Sequence, residues 1–215
     1  METKGLKEPD IVVKVVGPLE ENCYILYDGE TSDAVVIDPG DEGKDILKEI
    51  KDRGLSLKYI INTHGHFDHI GANGFLKEAT GAKIAIHRED ASMLKDAVKQ
   101  ASFFGVNCVS SPEPDVILTN GDMVGFGDIT LKVIHTPGHT KGGISLYRGT
   151  QLFVGDTLFA GSVGRTDRPG GSHTDLIKSI KEKLLPLGDM VKVFPGHGPQ
   201  TTIGEERLHN PFLTP

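Results

Sequence analysis

Three of the chain's nine histidines fall within one six-residue run, HGHFDH from His64 to His69, directly after the β-like stretch Tyr59 to Ile61. Imidazole nitrogens and carboxylate oxygens are donors that zinc, iron and manganese accept. A strand-like backbone points His64, His66 and Asp68 the same way, while a bend at Asp68 turns His69 toward a second point beside the first. One short loop could thus serve two metal ions. An isolated histidine is ordinarily a surface or hydrogen-bonded core residue. Three imidazoles and a carboxylate on one loop are a costly arrangement if cations form and nothing binds them.

Three further segments share that grammar of a polar ligand at a strand end, wrapped in glycine: HTPGHT at 135–140, VGDTLF at 154–159 and PGHGP at 195–199. Strand ends are where a rigid scaffold aims side chains into a common cleft. In HTPGHT the pair Pro137-Gly138 forbids a helix, so only one histidine need face the metal, and His139 in the loop is the candidate. The ligand count then closes on two ions. His64, His66 and His139 serve the first, Asp68, His69 and His197 the second, and Asp156 bridges both. One bridging hydroxide makes each five-coordinate, which catalytic zinc accepts. The expected cofactor is two divalent ions, zinc first, with iron or manganese as alternatives. Their charge would move the formal total from −7 to −3 and make the site locally positive.

The sequence resembles the metallo-β-lactamase superfamily, whose motifs THGHFDH, PGHT, GDT and PGHGP occur here in that family's order between Thr63 and Pro199. The resemblance implies an αββα sandwich with the metal cleft between the sheets' edges. Asp156 in GDT is similar to the bridging aspartate of glyoxalase II, which implies hydrolysis of a thioester such as hydroxyacylglutathione or a related acyl-thiol. The tail IGEERLHNPFL at 203–213 resembles that of short bacterial glyoxalase II-like hydrolases, which lack the C-terminal helical domain used for glutathione. Arg165 in VGRTD matches the position of a basic substrate contact, with Thr166-Asp167 in place of an aromatic. GRTD also resembles the persulfide dioxygenases, which would hold one iron through His64, His139 and Asp156.

Leaving-group chemistry favours the thioester. A thiol with a pKa near 8.5 departs as thiolate, whereas an amide nitrogen needs a proton, and no acid is visible beyond Asp68, expected to orient hydroxide and shuttle a proton. Arg165 either pairs with a substrate carboxylate or ties its loop to Asp167. His135 is expected to end a strand in a supporting or packing role, His87 at another strand end and His173 before a helix without a functional role, and His209 in packing. Ser92 and Lys95 form an S-x-x-K pattern without its partner motifs, in an amphipathic helix, and are set aside.

These residues need elements to position them. Short β-branched runs at Ile11 to Val16, Asn22 to Tyr27 and Ala34 to Asp38, the last closed by Pro39-Gly40, predict a meander. A helix over Lys44 to Arg53 and a strand at Tyr59 to Ile61 follow. The cycle repeats with a helix near Gly71 to Thr80, a strand at Lys83 to His87, a helix from about Glu89 and a loop over Val106 to Pro114. From Asp122 the pattern is β again, through Ile129 to His135, Gly143 to Arg148 and Gln151 to Asp156. A helix at about Thr174 to Leu185 and a strand at Val191 to Phe194 complete it. Two halves of similar order predict an α/β fold, an αββα sandwich in one domain over residues 1–215.

Composition narrows the partners. With 23 Lys and Arg against 30 Asp and Glu, the field repels nucleic acid and anionic lipid. Cys23 and Cys108 form no C-x-x-C pair, which argues against a disulfide scaffold or a cysteine zinc cluster. The opening METKGLKEPD has no apolar region, so a cytoplasmic enzyme acting on a small-molecule thioester is expected, as a monomer or small homo-oligomer. Glycine, 27 of 215 residues, suits a β-rich protein with a loop-built site.

Overall fold

The computed structural model describes residues 6–214. The β-branched runs of the first half form one sheet in sequence order: β1 (Asp10–Val16), β2 (Glu21–Tyr27), β3 (Asp33–Ile37), β4 (Ser56–Ile61), β5 (Lys83–His87) and β6 (Val116–Leu118). The first three are antiparallel neighbours, and β3 to β6 run parallel. Parallel neighbours need crossovers, and helices provide them. These are α1 (Gly43–Asp52), then α2 (Phe67–Ile70) with α3 (Asn73–Thr80), then a 3-10 segment, Arg88–Asp96, leading into α4 (Ala97–Ser102).

The second half repeats the plan with β7 (Met123–Phe126), β8 (Ile129–His135), β9 (Ile144–Arg148) and β10 (Gln151–Gly155). A small hairpin of β11 (Leu158–Phe159) and β12 (Ser162–Val163) precedes α5 (His173–Ser179), β13 (Lys192–Pro195), β14 (Thr201–Thr202) and α6 (Ile203–His209). The second sheet has the order β14-β13-β10-β9-β8-β7, and β10 runs parallel to β13. Their carboxyl ends therefore open on the same edge.

Alternation along the strands explains the layering. Leu26, Val35 and Ile61 of the first sheet meet Leu131, Phe153 and Phe194 of the second in the central core. Their neighbours Ile25, Val36 and Ile60 face outward against Ile46, Ile50 and Leu76 of α1 and α3. Leu152, Val154 and Val193 likewise meet Leu176, Ile180 and Ile203 on the other outer face. Every strand with both faces buried is apolar at both parities, and each fully buried aliphatic side chain contributes about 1.5–3 kcal/mol. The result is the αββα sandwich.

Three local differences from the sequence expectation have physical causes. The helix expected from Glu89 starts as a 3-10 segment, because Asp90 turns inward and accepts from Gly65, Thr140 and Gly142. The helix expected to reach Leu185 widens into a π turn over Ile180–Leu184 and tightens again at Leu185–Leu187, where Pro186 lacks an N–H. The tail forms α6, and its start was marked by the capping pair Thr202 and Glu205, whose amide donates to the Thr202 hydroxyl. No helix among the described residues is long and apolar enough to cross a membrane.

Candidate metal centre

The strand ends deliver the side chains to one place. After β4 the chain bends at Thr63 and His64, is extended at His66 (φ −74°, ψ 150°) and coils into α2 from Phe67. The expected strand-like run is therefore broken before the motif, and Asp68 joins His69 on α2 instead of lying in line with His64 and His66. His139 lies in the loop between β8 and β9, Asp156 directly follows β10, and His197 follows β13. Two glycines permit the close approach of these loops. A Cβ on Gly40 would lie 1.7 Å from the Asp68 carbonyl oxygen, and one on Gly196 would lie 2.4 Å from Asp156 Oδ1 and 2.7 Å from His69 Cε1.

Two adjoining donor groups result. In the first, His64, His66 and His139 converge with ligand atoms within 4.8 Å of one another, and His139 Nε2 is 2.8 Å from His66 Nδ1. In the second, Asp68, His69 and His197 converge equally, with Asp68 Oδ2 at 3.4 Å from His197 Nε2 and 3.9 Å from His69 Nε2. Asp156 stands between them. Its Oδ2 is 3.5 Å from His139 Nε2, while its Oδ1 is 3.5 Å from His69 Nε2 and 3.8 Å from His197 Nε2. Each oxygen thus addresses a different group.

The far nitrogen of three of the five rings is held from behind. His69 Nδ1 lies 3.0 Å from Asp38 Oδ2, His139 Nδ1 2.8 Å from the Arg165 carbonyl, and His197 Nδ1 3.0 Å from the Leu19 carbonyl. Such contacts fix ring orientation and tautomer in metal sites. Asp38 also accepts from the Thr63 amide at 2.7 Å and its hydroxyl at 2.5 Å. The Glu21 carboxylate, fully buried, faces His69 Nδ1 at 3.7 Å.

Burial sets the charge states. It pushes His64 well below the ordinary histidine range, helped by the neighbouring imidazoles, and pushes His66 down to about 4, with His139 adding to the effect. Both are neutral, as ligands must be. Burial opposes charge at His69 as well, but Asp156, Asp68 and Asp38 outweigh it and raise its pKa well above the usual value. Burial likewise works against ionised Asp68, and His69 and His197 overcome it, holding the carboxyl well below the carboxylate range.

The donor set fits divalent ions on an observation independent of motif. His64 Nε2, His69 Nε2 and Asp156 Oδ1 are buried polar atoms with no hydrogen-bond partner, two of them in these groups and one on the carboxylate between them. Such atoms cost about 1–3 kcal/mol each unless something coordinates them. A cleft of about 560 Å³ opens over the groups, with His66, His139, Asp156 and His197 exposed to it.

All seven side chains singled out from the sequence as ligands come together. Arg165 reaches the cleft but is exposed, and both arms of its guanidinium are 2.7 Å from Asp167. His135 stacks on His87 at 4.1 Å and 10°, away from the centre, with Nε2 on the Lys141 carbonyl. His173 opens α5. His209 does not pack: its side chain is 72% exposed at the end of α6, because the apolar stripe of that helix runs through Ile203 instead. Ser92 and Lys95 are exposed on the 3-10 segment, and both cysteines are free thiols. Sequence reasoning missed Asp38, Thr63, Glu21 and Asp90. Asp38 had a signal, since Asp-Pro-Gly ends β3 in the same style as the ligand loops.

Comparisons with known proteins place the fold in a family. The sequence profile of the metallo-β-lactamase superfamily matches residues 16–197. The hydroxyacylglutathione hydrolase GloC of Haemophilus influenzae is 37% identical over 208 residues, covering 95% of this chain and 98% of that protein. The crystal structure of BLEG-1 B3 metallo-β-lactamase superimposes with a TM-score of 0.90 at 39% identity, over 96% of this chain and all of that one. That of TTHA1623 in a di-iron-bound form gives 0.87 at 41% identity, over 94% of this chain and all of that one. The chain belongs to the metallo-β-lactamase superfamily.

Proposed function

We propose that this protein is a metal-dependent thioester hydrolase of the glyoxalase II type, cleaving hydroxyacylglutathione or a related acyl-thiol. The observation that carries the reading is Asp156, whose two oxygens address two separate donor groups. His64, His66 and His139 would hold one divalent ion, Asp68, His69 and His197 the other, with Asp156 shared. Zinc is the proposed metal, with iron or manganese as alternatives that the same donors accept. The similarity to GloC supports the substrate class.

Bound there, divalent ions supply Lewis acidity that polarises a carbonyl and lowers the pKa of water from 15.7 toward about 7. The chain's own groups do the rest. Asp68, ionised and lining the cleft, orients the attacking water and, with Oδ2 turned to the second donor group, takes its proton at Oδ1. The water oxygen bonds to the carbonyl carbon, the carbon–sulfur bond breaks, and sulfur leaves with the electron pair as thiolate, needing no proton. Asp38 keeps His69 Nε2 aimed at the centre. Arg165, tied to Asp167, orders the loop whose carbonyl holds His139.

A second reading uses fewer ligands: His64, His139 and Asp156 around one iron, for oxygenation of a persulfide. Asp156 Oδ2 beside His139 Nε2 is compatible with it. Elemental analysis of aerobically and anaerobically purified protein, beside a thioester panel, separates them. Two ions per chain with thiol release in the absence of oxygen is the expected result. One iron per chain with oxygen uptake, or no thioester cleavage by fully loaded protein, overturns the hydrolase.

A further inference from the structure

The cleft wall opposite the donor groups is built by α4, the residues after it, and the loop after β12. Its cations differ in their commitments. Arg165 is engaged on both arms by Asp167. Arg168 is half-buried, lies with its guanidinium carbon 5.0 Å from the centroid of the Phe104 ring, and makes no ion pair or side-chain hydrogen bond among the described residues. Lys99, on α4 and lining the same cleft, is also without an ion-pair partner among them. The wall has one uncommitted carboxylate, Asp96, one turn before Lys99. In a protein of net charge −7, this is a local surplus of positive charge facing the site.

The remaining wall is apolar. Phe103 is 73% exposed and Phe104 43%, and Met93 lines the cleft between them and the centre. Large apolar groups left open beside a half-buried, unpaired guanidinium suit a ligand with an apolar stretch and an anionic end. Arg presents a planar fork that matches a carboxylate with two parallel hydrogen bonds, and stacking on an aromatic ring pre-orients it.

We propose that Arg168, with Lys99 beside it, binds a carboxylate on the thiol half of the substrate, while Phe103, Phe104 and Met93 cover the chain between that carboxylate and the reacting carbonyl. The preferred substrates are therefore thioesters of acidic thiols. This inference rests on the thioester hydrolase reading and deepens it. Arg168 is here a specificity-determining residue that never touches the reacting atoms.

The test uses three lactoyl thioesters with the metal-loaded full chain: S-lactoylglutathione, its diethyl ester with both carboxylates masked, and the neutral N-acetylcysteamine ester. Wild type is expected to show a KM at least tenfold lower for the free acid than for the diester, with similar kcat. Arg168→Gln should raise KM for the free acid about tenfold and leave kcat and KM for the neutral N-acetylcysteamine ester, which has no carboxylate for Arg168 to hold, as they are in wild type, which doubles as the control for folding. Arg168→Lys should recover part of the loss, and Arg165→Gln should fall well short of Arg168→Gln. Equal constants for acid and diester, unaffected by Arg168→Gln, overturn the inference while the hydrolase reading stands. Turnover of none of the three overturns both.

Discussion

Asp38 and His69 meet behind the centre, with Oδ2 3.0 Å from Nδ1, so that the ring's other nitrogen is left facing Asp68 and Asp156. Asp38 is itself fixed by the amide and hydroxyl of Thr63, the residue before the first ligand. One carboxylate thus ties the end of β3 to both donor groups.

Replacing Asp38 by Ala should weaken metal binding at the second group by about 10–100-fold, the usual effect of losing an outer hydrogen-bond partner. Asp38→Asn keeps the shape and should lose less. Chelator-competition titration measures both. Wild-type affinity in Asp38→Ala would show that the contact does not orient the ring.

His66→Ala removes one of three imidazoles from the first group. Tight binding at that group and nearly all thioester hydrolysis should disappear, while the second group retains its ion. Metal content and rate are measured on the same preparation. An unaltered rate at unaltered metal content would rule His66 out as a ligand.

Gly196→Ala places a methyl group 2.4 Å from Asp156 Oδ1, where the neighbour is a ligand rather than a free surface chain. Asp156 or the Gly196 loop must shift, and a displacement of this size at a precise site is expected to reduce hydrolysis by about 100-fold. Thermal unfolding should change far less than activity. Full activity in this variant would mean that Asp156 does not need its present position.

Asp28, fully buried at the end of β2, forms an ion pair with Lys7 Nζ at 2.6 Å and accepts from the amides of Glu30 and Asp128 at 2.9 and 2.8 Å. Burial opposes its ionisation, but these partners hold the carboxyl well below the usual range. A depressed folded pKa gives stability that is complete above the unfolded value of about 3.9 and lost as pH falls through the folded one. Asp28→Asn should therefore be less stable by about 2 kcal/mol at neutral pH, with the gap closing on acidification below about pH 4. Urea unfolding at a series of pH values tests this; a constant gap would contradict it.

The seven side chains that converge were legible because their chemistry is compressed into short motifs, each at a strand end beside glycine. The layered fold followed from apolar strands at both parities, as in Ile25 and Leu26 or Ile60 and Ile61. What escaped was action at a distance. Asp90 serves donors 25, 50 and 52 residues away, and no local spacing encodes that. β6 has three residues, too few for alternation to show. Two arginines three positions apart look alike in sequence, yet Asp167 occupies one fork and leaves the other on an aromatic ring.

Asp90 accepts from Gly65 between the first two ligands and from Thr140 and Gly142 around His139, joining loops that belong to different sheets. Convergence of the seven side chains is thereby made contingent on the docking of two separately built halves. The first half alone supplies only His64, His66, Asp68 and His69, and the second adds His139, Asp156 and His197.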